Sequence, residues 1–251
     1  MISIILIIIF GLCIGSFLNV CVYRIQKEES IAFPPSHCTT CNNRLTSTDL
    51  VPVLSYIFLK GKCRYCNEKI SIIYPIIEIL NSIIYLTIYV KYGFTLEFFK
   101  FCIFSSLLIV IATIDFKTKY VYSSTVLFGI ISGLIFLGLK FITTKVIPLN
   151  YLVGAFIGFA FIYLIVKLTG GMGEGDIDIA IICGLFLGTK GIIVTLFLAV
   201  ILGGIVSSII LIFKLKDRKA EIAFGPYLAF AGVISSLYAS NLIYMYLKIF
   251  M

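Results

Sequence analysis

Charged side chains are scarce in this sequence, and histidine is almost absent. Of 251 residues, 13% are charged and 61% are hydrophobic, and His37 is the only histidine. This composition excludes a water-soluble domain, because such a domain cannot bury so much apolar surface. No basic region or small-residue cleavage site precedes Arg24, so we expect the first apolar run to be a retained span and not a cleaved signal peptide. The sequence therefore predicts a polytopic membrane protein whose first span is retained.

Apolar runs along the chain predict an all-α fold with about eight transmembrane helices. The run at 177–189 is short for a full crossing, so we expect it to be half-buried or to begin below the membrane surface. The predicted spans are 1–23, 70–90, 98–114, 121–139, 150–168, 177–189, 191–213 and 223–247.

Basic residues exceed acidic ones, and the formal net charge is +8. In a membrane protein such residues set the topology and contact anionic headgroups, so we expect a lipid bilayer around the chain and no nucleic acid. If the polar segment after the first span is cytoplasmic, alternation of spans puts 14 of the 20 basic residues inside and both termini outside. The six on the outside are Lys91, Lys100, Lys140, Lys145, Lys190 and Lys248.

The one long polar segment, residues 25–69, carries two Cys-x-x-Cys pairs. In each pair the chain turns back so that both thiolates can reach one metal ion, and 21 residues separate the pairs, which is typical of a four-thiolate zinc site. Four thiolates fill a tetrahedral shell, so we favour a structural Zn²⁺ over redox-active dithiols. We expect His37 to lie beside the metal or in solvent rather than bind it. The predicted ligands are Cys38, Cys41, Cys63 and Cys66.

Two acidic residues stand at the borders of apolar runs. Asp115 follows the third predicted span and Asp176 precedes the sixth, so alternation puts both on the cytoplasmic side. Acids in such places need a partner, a water-filled cavity or a chemical role. Two carboxyl groups that meet share a proton, so that one can activate water while the other polarises a peptide carbonyl. From the residues alone three hypotheses stay open: an aspartic protease, an ion- or proton-coupled transporter that uses this pair, and a structural ion pair with Lys117 or Lys119.

Glycine occurs where backbones are predicted to approach closely. Gly173 and Gly175 precede the second acid, and their missing side chains leave room for the backbone of a substrate. In the first span, Gly15 and its serine neighbour predict close helix packing, and Asn19 needs a hydrogen-bond partner inside the bundle.

A series of motifs runs nearly the length of the chain, and its order is that of a known family. It comprises Gly15-Ser16-Phe17-Leu18-Asn19-Val20, the four cysteines, Asp49-Leu50-Val51-Pro52, Gly61-Lys62-Cys63, Tyr74-Pro75 with Glu78, Ile114-Asp115, Gly173-Glu174-Gly175-Asp176 and Phe224-Gly225-Pro226. The ordered series resembles the type IV prepilin peptidases, bifunctional leader peptidases and N-methyltransferases of pilus, type II secretion and competence systems.

The resemblance implies that Asp115 and Asp176 are the catalytic aspartates of a membrane aspartic endopeptidase. It implies a prepilin substrate in the prokaryotic cytoplasmic membrane, whose basic leader is cut after glycine at the cytoplasmic face. It also implies zinc on the cysteines and N-methylation of the new terminus with S-adenosylmethionine. The domains would be a first transmembrane helix at 1–24, a cytoplasmic zinc-binding segment at 25–69 and a seven-helix membrane peptidase domain at 70–251. The oligomeric state stays open.

The methyl donor needs a site of an unusual kind, because the chain has no glycine-rich strand–turn–helix for a nucleotide. We expect its pocket between the first span, the zinc segment and the second span, with Asn19 and Glu78 as cofactor-binding residues. Three features depart from the family pattern. They are Val121-Tyr122-Ser123 in place of Pro followed by Asp or Asn, Asp178 in place of lysine, and Asn42 and Asn67 in place of glycine after each cysteine pair.

Overall fold

The structure is a computed structural model that describes residues 2–169, 172–213 and 223–250. These residues form helices joined by turns, with two isolated β-bridges inside the polar segment. A short 3₁₀ helix covers Ser47–Leu50. The α-helices are α1 (Ile2–Gln26), α2 (Leu54–Phe58), α3 (Ile73–Tyr92), α4 (Leu96–Thr118), α5 (Ser123–Thr144), α6 (Leu149–Thr169), α7 (Gly175–Ile212) and α8 (Gly225–Phe250).

Seven of the described helices, all except α2, are long and apolar enough to cross a membrane. The longest, α7, is interrupted at Gly188, whose φ of 71° and ψ of −174° are not helical. This break lies close to the predicted boundary between the spans at 177–189 and 191–213. The two halves of α7 therefore correspond to two of the eight predicted spans, and the other six long helices correspond to the rest. The all-α membrane fold is therefore confirmed. The predicted cytoplasmic cluster of Lys214, Lys216, Arg218 and Lys219 lies outside the described residues.

The chain divides into two compact units, residues 1–102 and 103–251, and the boundary falls within α4. The three-part division at residues 24 and 69 stays a prediction.

In the first unit, α1 packs closely on α3 through small and polar residues. A Cβ added to Gly15 would lie 2.6 Å from the Glu78 Cα, so only glycine permits this approach of the two backbones. The side-chain amide of Asn19 donates to the Tyr74 carbonyl at 3.1 Å, and that of Asn81 donates to the Gly11 carbonyl at 2.8 Å. The predicted close packing and the predicted partner for Asn19 are both confirmed.

In the second unit, the first half of α7 lies in the core. Ile179, Ala180 and Cys183 are fully buried, and Phe186 stacks on Phe104 of α4 with ring centroids 4.9 Å apart. A Cβ added to Gly158 of α6 would lie 2.5 Å from the Ala180 carbonyl oxygen, so α6 also packs tightly against this half. The start of α7, where Asp176 lies, is therefore held by its neighbours.

Candidate active site, metal centre and cavity

Asp176 is anchored by the turn that begins α7. Its backbone N–H donates to the Gly173 carbonyl at 3.1 Å, and the Gly173 N–H in turn bonds the Asp176 carboxylate. This reciprocal pairing is the backbone form of a capping box, and the N-terminus of a helix stabilises negative charge. The side chain is buried, with the residue 6% exposed. The spacing of Gly-x-Gly-Asp thus places one carboxylate at a fixed point.

Asp115 lies near the end of α4 and is also buried, with 5% exposed. Its carboxyl group contacts the backbone of Gly225, the first residue of α8. A Cβ added to Gly225 would lie 2.5 Å from Asp115 Oδ2, so no other residue fits here without displacing the carboxyl group. The same oxygen, Oδ2, is buried and has no hydrogen-bond donor among the described residues. It is therefore available to a water molecule or a substrate atom.

The structure brings the two aspartates together. Their carboxylates interact electrostatically, and Ile179, one turn beyond Asp176 on α7, lies beside Gly225, against which Asp115 packs. Within the described part of the chain, neither aspartate forms a salt bridge with a basic side chain. The hypothesis of a structural ion pair with Lys117 or Lys119 therefore has no support, whereas a carboxylate pair can do acid–base chemistry.

The two glycines predicted to face a substrate differ in their surroundings. A Cβ on Gly175 would lie 2.7 Å from Cγ2 of Val121, so the protein's own chain already fills that space. Gly173 is exposed, and among the described residues the only atom that such a Cβ would meet within 4 Å is Asp176 Oδ2. The role of both glycines toward a substrate stays a prediction, and Gly173 is the more open of the two. Val121 belongs to the segment that departs from the family pattern, and the sequence gave no indication that Val121 contacts Gly175.

The four predicted cysteines form one cluster that can hold a metal ion. Their sulfur atoms all lie within 4.8 Å of one another, and those of Cys38 and Cys66 are 3.8 Å apart. Two matching turns present them: the N–H of Asn42 donates to the Cys38 carbonyl at 2.9 Å, and that of Asn67 to the Cys63 carbonyl at 3.0 Å. Both asparagines have the left-handed conformation, with φ of 56° and 58°, which asparagine tolerates better than most residues.

Cys38 is also prepared electrostatically to bind a metal. The backbone amide of Cys41 bonds its sulfur and, with further hydrogen bonds, lowers the pKa of the Cys38 thiol to about 6. A thiolate is the form that coordinates a metal ion. The His37 ring nitrogen Nδ1 lies 3.1 Å from the Pro35 carbonyl, and His37 does not belong to the cluster.

An ion pair braces the segment that joins the two cysteine pairs. The Arg64 guanidinium donates to Asp49 Oδ1 at 2.7 Å, and Thr46 donates to Oδ2 from its hydroxyl group at 2.7 Å and from its N–H at 3.0 Å. Burial acts to raise the pKa of Asp49, but these bonds to the charged form outweigh it and hold the pKa below its usual range.

A cavity of about 400 Å³ lies within the first unit, among α1, α3 and the polar segment. It is large enough for a small-molecule ligand. Asn19 and Glu78, the two residues predicted to bind the methyl donor, both line it, as do Cys38 and Cys63. The Asn19 amide is held by backbone carbonyls, and Glu78 Oε2 accepts the N–H of Val53 at 2.7 Å. The sequence pointed to this region but gave no sign of the contact with Val53.

Comparison with known proteins adds two family matches and a set of relatives. Residues 9–92 match the bacterial peptidase A24 N-terminal domain, and residues 102–208 match the type IV leader peptidase family. A prepilin leader peptidase/N-methyltransferase of Bacillus subtilis is 32% identical over 96% of this chain and 96% of its own length. The enzymes of the same name from Xanthomonas campestris and Neisseria gonorrhoeae are each 31% identical, over 95% and 90% of this chain and 92% and 87% of their own. No solved structure matches the chain.

Proposed function

Because the chain belongs to the type IV leader peptidase family, we propose that it is a membrane aspartic endopeptidase with a second, N-methyltransferase activity. It removes the basic leader of a prepilin-like protein after glycine and then methylates the new N-terminal amine. The observation that carries the peptidase assignment is the buried pair of carboxylates, Asp115 and Asp176, brought together at the ends of α4 and α7 without a basic partner among the described residues.

The pair has the groups that peptide hydrolysis requires. Two close carboxyl groups do not both ionise cheaply, so they share one proton. The ionised member takes a proton from water as the water oxygen bonds to the peptide carbonyl carbon, while the protonated member donates to the carbonyl oxygen. The C–N bond then breaks, and the leaving amine takes a proton from the pair. Oδ2 of Asp115, which accepts no hydrogen bond from the part of the chain that the structure describes, is suited to hold the water or the carbonyl oxygen.

The substrate would reach the pair from the cytoplasm. The distribution of basic residues favours a cytoplasmic segment at 25–69, and alternation of the spans then puts the ends of both acid-bearing spans on the same side. Gly173 is the exposed backbone beside Asp176 and can pair with the extended chain around the scissile bond. Protease accessibility of residues 25–69 in inside-out and right-side-out vesicles tests the orientation: cleavage only in inside-out vesicles is expected, and the reverse would contradict it.

We assign the second activity to the cavity of the first unit. S-adenosylmethionine would supply an electrophilic methyl group there. The cavity's volume of about 400 Å³ and its mixture of polar and apolar lining fit a ligand of that kind. Asn19 and Glu78 lie on its wall, and the two donors of Asn19 are committed to backbone carbonyls. Glu78 Oε2 is likewise bonded to the Val53 N–H, so we expect the first effect of both residues to be on the shape of the wall.

The metal would be Zn²⁺ with a structural role. Zinc–sulfur bonds of about 2.3 Å in a tetrahedron put the sulfur atoms about 3.8 Å apart, and the Cys38–Cys66 separation is 3.8 Å. Four thiolates leave no open position for water or substrate. Because Cys38 and Cys63 also line the cavity, the metal would hold one of its walls in place.

Mass spectrometry of a reconstituted reaction tests both activities. Purified protein in liposomes is mixed with a prepilin that carries a basic leader ending in glycine before an apolar helix. The expected products are a pilin without its leader and, when S-adenosylmethionine is added, the same pilin heavier by one methyl group. An intact prepilin after prolonged incubation would refute the peptidase assignment, and a cleaved but never methylated pilin would refute the second activity. The transporter hypothesis has no support from the comparisons; it predicts ion flux that depends on Asp176 and needs no peptide.

A further inference from the structure

The backbone at Val53 is strained, and it stands next to the cavity of the first unit. Its φ is 61° and its ψ is −49°, and the Leu54 N–H donates to the Pro52 carbonyl at 2.5 Å, across a single residue. This is a γ-turn of the rare positive-φ form. A β-branched residue at positive φ is a genuine outlier, because its Cβ crowds the backbone. Such strain persists only where the surrounding structure enforces it, and it clusters at functional sites.

The carboxylate of Glu78 is hydrogen-bonded to the turn. Its Oε2 accepts the Val53 N–H at 2.7 Å, although the two residues are 25 positions apart. Glu78 is 7% exposed and also accepts a hydrogen bond from the Ser16 hydroxyl of α1. One buried carboxylate on α3 therefore ties together α1, α3 and the turn. An acid among apolar helices is costly unless it has such partners.

The turn determines where α2 lies. Val53 precedes α2 directly, and Ser55 and Tyr56 of α2 line the cavity together with Glu78. The Tyr56 hydroxyl donates to the Ile70 carbonyl at 3.3 Å, which connects the same wall to the start of α3. If the turn at Val53 relaxed to negative φ, the direction of the chain into α2 would change and this wall would move.

We propose that Glu78 is a positioning residue of the methyl-donor cavity, which it shapes by holding the strained turn at Val53 rather than by touching the donor. The inference rests on the proposed methyl transfer. It departs from the expectation drawn from the sequence, in which Glu78 binds the cofactor directly. Holding the turn and contacting the donor differ in one testable respect. If Glu78 only holds the turn, it becomes dispensable when residue 53 can adopt positive φ without strain; if it contacts the donor, it does not.

Equilibrium binding of S-adenosylhomocysteine to the purified full chain, measured by calorimetry, tests the proposal. Glu78→Ala removes the acceptor of a charge-assisted bond, and we expect affinity to fall by about tenfold or more. Glu78→Gln keeps an acceptor oxygen, so its loss is expected to be smaller. Glycine adopts positive φ readily, so adding Val53→Gly to Glu78→Ala should restore most of the affinity. Ser82→Ala is the matched control, because Ser82 bonds the Ile8 carbonyl of α1 from α3 but does not line the cavity; its affinity should equal that of the wild type.

Hydrogen exchange supplies a readout that needs no ligand. The amides of residues 53–58 should exchange faster in Glu78→Ala and return toward the wild-type rate when Val53→Gly is added. Unchanged exchange in Glu78→Ala would overturn the proposal, as would wild-type affinity in that variant. A double variant that binds as weakly as Glu78→Ala would assign Glu78 a direct contact with the donor and would also overturn it. If the wild type binds no donor analogue, the proposed methyl transfer fails, and the exchange rates still decide whether Glu78 holds the turn.

Discussion

A single methyl group at position 225 is the sharpest perturbation of the proposed active site. Gly225 opens α8 against the carboxyl group of Asp115, and the Cβ of alanine would lie 2.5 Å from Oδ2 and 2.9 Å from Cδ1 of Ile179. Ordinary contact begins at 3.4 Å. Gly225→Ala must therefore push the carboxyl group of Asp115 or the start of α8 aside.

The size of the effect follows from the distance. A displacement of about 1 Å at a reacting group lowers the rate on the order of 100-fold, whereas the overpacking itself costs about 1–3 kcal/mol of stability. We therefore expect kcat for leader cleavage to fall about 100-fold while KM changes little, because the perturbed carboxyl group acts on the scissile bond and not on the rest of the substrate.

Initial rates of cleavage with purified protein in detergent micelles measure both constants, and thermal unfolding of the same samples measures stability. Gly138→Ala is the matched control, since a Cβ at Gly138 of α5 meets no atom of the described residues within 4 Å; it should cleave as the wild type does. A wild-type kcat in Gly225→Ala would refute the placement of Asp115 against Gly225. A loss of activity that only follows the fraction of unfolded protein would refute a local effect.

Three further predictions concern the other packed or bonded groups. Cys63→Ser should reduce the metal content from about one zinc per chain, and metal-free wild-type protein kept reduced would contradict the site. Gly175→Ala would put a Cβ 2.7 Å from Cγ2 of Val121, so cleavage should drop and should recover when Val121→Gly is added; no recovery would argue against this contact. Arg64→Met should lower stability by about 1 kcal/mol at neutral pH. The pKa of Asp49 is depressed in the folded chain, so the difference in unfolding free energy between the wild type and Arg64→Met is present above about pH 4. It should vanish as the pH falls through the folded pKa of Asp49. A difference that does not depend on pH would contradict the role of this ion pair.

The features that sequence reasoning anticipated share a physical reason. Long apolar runs must become helices in a bilayer, and paired cysteines two residues apart must turn toward a common centre, so the helices and the cysteine cluster followed from local pattern. The meeting of Asp115 and Asp176 followed from counting spans, because two acids on one side of the membrane are free to approach.

The features that the sequence did not reveal depend on contacts between residues that are far apart along the chain. Val53 carries no mark of its positive φ, since the partner that holds it, Glu78, lies 25 residues away on another helix. Gly225 appeared only as part of a family motif, although a glycine before proline is compatible with a helix start. Its reason for being glycine became visible only when the carboxyl group of Asp115 was placed beside it.

The central claim is that Asp115 and Asp176 together cleave the leader, and cleavage by single asparagine variants tests it most directly. Asparagine keeps the shape of each side chain but removes the group that ionises or shares the proton. Asp115→Asn and Asp176→Asn should each abolish leader removal in liposomes, while methylation of a pilin supplied without its leader continues. Full cleavage by either variant would contradict the account.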